Sequence, residues 1–166
     1  MNHADTAELQ PTSSPERDTV LDLSQLVLHD VAPQELAIFD EVTDEYFDDP
    51  AAVLEARAGD QPVAFGLDIA LLTPYVLAVV TAVVKFIGGL VSDAVKDEAT
   101  PVVAQLVRRL FRGGDDADGA TPAPLDAEQA ARVREVALDR ATAIGLDENK
   151  ARFLAEAVAD RLRVSV

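Results

Sequence analysis

The side chains best suited to proton transfer or nucleophilic attack are two histidines and five serines, and their placement does not assemble a catalytic centre. His3 lies among Asp5, Glu8, Pro11, Pro15, Glu16 and Asp18, whereas His29 is embedded in the apolar run VLDLSQLVLHDV. A general base or metal ligand needs further polar groups at its site. No second histidine accompanies His29, so a structural or surface role accounts for it. Ser13 and Ser14 sit in the same leader as His3, and Ser165 is next to last. The chain contains no GxSxG elbow, HExxH helix, phosphate-cradling glycine loop or CxxC pair. No catalytic residue is therefore expected.

Two acidic clusters invite a metal reading. Asp40, Glu41, Asp44, Glu45, Asp48 and Asp49 could gather a hard divalent cation, which prefers several carboxylate oxygens. At helical spacing, however, most of them face away from Phe39 and Val42, which makes a solvated face the simpler account. Asp115, Asp116, Asp118 and Gly119 superficially resemble a calcium loop. With Gly119 at the turn position, Gly114 stands where the first ligand belongs and Leu125 where the bidentate acid belongs. Cysteine is absent, which removes disulfides and thiolate metal sites. Neither a metal nor a cofactor is expected.

Thirty acidic against fourteen basic side chains give a formal charge of −16, which repels phosphate backbones and argues against a nucleic-acid partner. The absence of Trp, with six Phe and two Tyr, also argues against a base-stacking platform. The charge is uneven. Residues 1–68 carry 16 acids and 2 bases, residues 69–112 carry 3 and 5, and residues 113–166 carry 11 and 7. The middle region is thus the only one that is not acidic. Arg outnumbers Lys by 11 to 3 and alanine is abundant, a bias associated with GC-rich bacterial genomes. The first nineteen residues lack a basic start and an apolar stretch, so no secretory signal is expected and the protein is placed in the cytoplasm or at a membrane.

These residues must be positioned by helices. Residues 1–19 read as a disordered leader, and 20–60 as an acidic amphipathic region. Within that region Val20–Val31 fits a helix somewhat better than a strand, because Leu23, Leu26, Val27 and Val31 share a helical face while Val27, His29 and Val31 also alternate. Pro33–Phe47 is predicted as one helix with Leu36, Phe39, Val42, Tyr46 and Phe47 on its stripe, followed by a short helix capped by Asp49 and ending near Gly59. Residues 61–112 hold an apolar helix with Thr73 as its cap and Pro74 as its first residue, and with Gly88 and Gly89 weakening it. A basic amphipathic helix from Pro101 carries Arg108, Arg109 and Arg112. Residues 113–125 are a Gly, Pro and Asp-rich linker. Residues 126–166 form a separable helical hairpin, started by Asp126 and Gln129, turned at Gly145 and restarted by Asp147.

The central segment is the most informative. From Ile69 to Val84 sixteen residues carry no charge, and extension to Val91 gives twenty-three with Lys85 alone charged. A helix apolar on every side, here Tyr75, Val76, Leu77, Val80, Val83, Val84, Lys85, Phe86 and Ile87, must be enclosed by protein or by lipid. A lipid span is permitted by length, although a lysine near its centre costs up to about 3 kcal/mol on insertion scales. A bundle core is the other solution.

The expected fold is all-α, a helical bundle around one apolar central helix with a C-terminal antiparallel hairpin. The expected function is a non-catalytic interaction module that binds a protein partner, or a second copy of itself, through helical faces. Residues 69–112 offer a further route to an anionic membrane. Val133, Val136, Ile144, Phe153, Leu154, Val158 and Leu162 are the candidate contact residues of the hairpin. The alternative is a soluble helical adaptor or scaffold that never contacts lipid, and an enzyme without a recognisable motif ranks third.

Overall fold

The computed structural model of the chain describes residues 9–11, 14–59, 71–96 and 127–163, and every regular element among them is helical. Helix α1 spans Ser14–Val31, followed by a 3-10 helix over Pro33–Ile38, α2 over Phe39–Asp48 and α3 over Pro50–Gly59. The apolar helix α4 spans Thr73–Lys96, and the hairpin consists of α5 over Ala127–Ala143 and α6 over Glu148–Arg163. The basic amphipathic helix expected from Pro101, with Arg108, Arg109 and Arg112, lies outside the described residues, as does the linker.

Local chemistry sets the boundaries. Pro33 has no N–H and disfavours a helical residue before it, so α1 stops at Val31. The single helix expected over Pro33–Phe47 is corrected: it divides at Ile38 into a 3-10 helix and an α-helix. Asp49 accepts the amide of Ala52 at 3.0 Å through its side chain, with Pro50 as the first residue of α3, as the cap reading required. Gly145 has φ 92°, and Gly145 N–H donates to Thr142 while Leu146 N–H donates to Ala141, the paired bonds of a Schellman stop. Asp147 then accepts the amides of Asn149 and Lys150 at 3.1 and 3.0 Å, and these bonds hold its carboxyl below the usual carboxylate range. Gly88 and Gly89 do not end α4, because a helix packed by its neighbours tolerates their lower propensity.

The disordered leader expected over residues 1–19 is corrected where those residues are described. Ser14–Thr19 is already helical, Thr19 and Glu16 are buried, and Leu9 is fully enclosed. The reason is tertiary: polar composition predicts disorder only where no core is at hand to receive the few apolar side chains.

Helices α1, α4, α5 and α6 pack as a closed ring of neighbours, α1 on α4, α4 on α5, α5 on α6 and α6 on α1, while α2 and α3 cover α4 elsewhere. Val76, Leu77, Ala78, Val79, Val80, Val83, Val84 and Ile87 are all buried by this arrangement. Protein therefore encloses most of the described apolar surface of α4, leaving Ala82 and Phe86 half-buried. Each fully buried Val or Leu contributes about 1.5–3 kcal/mol, so the enclosure of α4 is a large favourable term. Thr81 is accommodated in this surroundings because its hydroxyl donates to the carbonyl of Leu77 at 2.7 Å.

The first turn of α4 poses a separate problem, since its amides are buried without carbonyl partners in their own helix. Glu35 resolves it. From the 3-10 helix its carboxylate accepts Leu72 N–H at 2.9 Å, Thr73 N–H at 2.8 Å and the Thr73 hydroxyl at 2.7 Å. Thr73 is thus the first helical residue and a donor to Glu35, rather than the cap expected from its position before Pro74. Glu35 is only 6% exposed and makes no ion pair with another described residue, so the positive end of the α4 dipole is its counter-charge.

Replacing Glu35 by Ala should cost on the order of 2 to 5 kcal/mol, since the buried donors lose a charged acceptor. Thr73→Val, which removes only the hydroxyl bond, should cost about 1 kcal/mol. Urea unfolding followed by circular dichroism measures both. Equal and negligible losses would show that this contact does not anchor α4.

Candidate interaction surface

The residues expected to carry function divide sharply by burial. Tyr75, Val76, Leu77, Val80, Val83, Val84 and Ile87 face the protein interior, whereas Lys85 and Phe86 are half-buried at the margin of α4. Among the described residues no helix is long and apolar enough to cross a membrane.

Most of the hairpin's contact set is used within the chain. Val133, Ile144, Leu154, Val158 and Leu162 are buried. Ala130, Ala137 and Ala141 of α5 and Ala151, Ala155 and Ala159 of α6 are buried with them, small side chains that let packed helices approach closely. The stripe docks on α4 and α1 and joins one continuous core. The hairpin is consequently not held by few contacts, as its linker suggested, because its own two helices leave too much apolar surface uncovered to stand alone. Arg161 adds an ion pair to Asp30 of α1 at 3.6 Å. Exposed i,i+4 pairs, Glu128 with Arg132 at 2.8 Å and Glu148 with Arg152 at 2.6 Å, contribute about 0.3–0.5 kcal/mol each.

Two members of the set remain accessible. Phe153 is 54% exposed on α6, and Val136 lines an open groove between α4 and α5. The groove has a volume of about 520 Å³, an apolar lining of Ala82, Phe86, Val136 and Ala143, and three charged side chains, Lys85, Asp139 and Arg140. Sequence periodicity placed Phe86 and Val136 on their helices. It carried no sign of the groove, which exists only because α4 and α5 meet at this height.

The polar candidates stay apart. His29 is on the solvent side of α1, with Nδ1 3.5 Å from the carboxylate of Asp30. Asp40, Glu41, Asp44, Glu45, Asp48 and Asp49 are exposed, and no group of three potential ligands among the described residues could hold a metal ion. Ser24 is fully buried.

A further constellation was not foreseen. Tyr46 is fully buried and its hydroxyl donates to the carbonyl of Leu9 at 3.0 Å. Burial pushes that hydroxyl far above the usual phenol range, with the nearby Arg140 guanidinium opposing the shift in part. The neighbouring Phe47 lies edge-on to Tyr46 at 5.5 Å and receives the Arg17 guanidinium over its ring at 4.3 Å. No family model, curated protein or solved structure matches the chain.

Replacing Leu154 and Val158 together by Asp should abolish cooperative folding, because each change sets a carboxylate into the shared core. Glu128→Gln, on the exposed face, should shift stability by less than about 0.5 kcal/mol. Thermal unfolding of the full chain compares them, and a double variant that melts like the wild type would mean that the hairpin is not part of the core.

Proposed function

We propose that the protein is a non-catalytic helical interaction module whose partner is a polypeptide segment seated in the groove between α4 and α5. The observation that carries this reading is the lining of that groove: an apolar floor of Ala82, Phe86, Val136 and Ala143 beside charged groups of both signs. An apolar centre with a charged margin is the composition of protein interfaces. Asp139 beside Lys85 and Arg140 suits the mixed charges of a polypeptide better than a uniformly anionic phosphate ligand. Phe153, outside the groove, offers a second anchor of the aromatic kind enriched at binding surfaces.

The alternative of membrane attachment draws its support from Lys96, Arg108, Arg109 and Arg112 in the sequence. Insertion of α4 itself would require the bundle to open and exchange its closely packed Val and Leu contacts for lipid, so the enclosed arrangement favours the protein partner.

A photo-crosslinking residue at Val136 should give adducts of discrete mass in cells, whereas the same residue at Glu128 should give none. Anionic vesicles should not retain the purified protein, and Lys85→Leu should leave that partitioning unchanged. Equal labelling at both positions, or retention by vesicles that rises with Lys85→Leu, contradicts the proposal.

A further inference from the structure

Leu9 and Gln10 are held on the end of α2 by contacts with residues 37 positions away in sequence. The Leu9 side chain is fully buried in the core, its carbonyl accepts the Tyr46 hydroxyl at 3.0 Å, and the Gln10 carboxamide donates to the carbonyl of Phe47 at 3.0 Å. The Phe47 carbonyl belongs to the last turn of α2, where carbonyls have no partner within the helix. Tyr46 likewise carries a hydroxyl that must find an acceptor once buried. The site therefore reads three features at once: a leucine side chain, the backbone carbonyl of that residue, and a carboxamide donor on the next.

We infer that Leu9 and Gln10 form a detachable plug, and that the site they fill is a receptor for a leucine-glutamine segment, occupied here by the chain's own. The inference is independent of the α4–α5 groove. The plug precedes α1 by only a few residues, and among the described residues it adds one leucine side chain and two hydrogen bonds to a core otherwise built by helices α1 to α6. Release leaves those helices in contact with one another, so opening of the site is a local event rather than global unfolding. Freed in this way, Tyr46 and the Phe47 carbonyl present a matched donor and acceptor to a Leu-Gln segment of another polypeptide.

The absence of natural cysteine gives a direct test. In the full chain, a thiol at Leu9→Cys should react with a labelling reagent at least a hundredfold faster than one at Val79→Cys, which is equally buried in α4. In parallel, full-length Leu9→Asp should keep its helical spectrum and bind a peptide of residues 1–13 at least tenfold more tightly than the wild type does. Adding Tyr46→Phe should weaken that binding several-fold. Equal labelling rates at the two positions overturn the proposal. So does a folded Leu9→Asp chain that captures no peptide, or one that fails to fold, because a plug must leave a folded receptor behind.

Discussion

The contact on which the rest of the structure depends is the Glu35 carboxylate at the first amides of α4. A helix without polar faces can be buried in a protein only if its ends are satisfied, because the side chains that would bring water to them are missing. Three donors within 2.9 Å of one carboxylate do this at the N-terminal end of α4. The negative charge also meets the positive end of the helix dipole. The same contact explains why the chain turns as a 3-10 helix before α2: the segment carrying Glu35 must reach across to α4 while Phe39, Val42 and Tyr46 of α2 keep their place in the core.

Once that end is fixed, enclosure of α4 determines the architecture. A cylinder apolar on all sides needs neighbours on all sides, which α1, α5, α2 and α3 provide. The alanine-rich inner faces of α5 and α6 allow the hairpin to close the ring at short range. The cost of this economy appears at the surface: where small side chains such as Ala82 of α4 and Ala143 of α5 line the junction, an open groove with Lys85, Asp139 and Arg140 remains. The proposed interaction surface is thus a by-product of the packing that buries the central helix.

Much of this was legible because it is written in local chemistry. Pro33 and Pro50 mark starts, Asp49 and Asp147 cap with their own side chains, and Gly145 takes the positive φ that its place after Ile144 implied. The apolar stripes named their buried residues for the same reason. What depended on contacts distant in sequence was not legible. Glu35 falls four residues before Phe39 and seven before Val42, a charge on the apolar stripe, and that was the available signal. Its partner lies 37 to 38 residues away, however, and no periodicity connects them. Leu9 reads as part of a disordered leader because its neighbours are polar, although Tyr46, also 37 residues distant, holds it in the core. The choice between lipid and protein around α4 had the same character, since hydropathy measures the need for cover and not its source.

Amide hydrogen exchange of Val76–Val84 in detergent-free buffer tests the central claim most directly. If Glu35 and the surrounding helices make α4 the enclosed core of the bundle, these amides exchange only by global unfolding, with the free energy that urea unfolding gives. Exchange through a smaller, local opening, or protection that appears only when detergent or lipid is added, would contradict it.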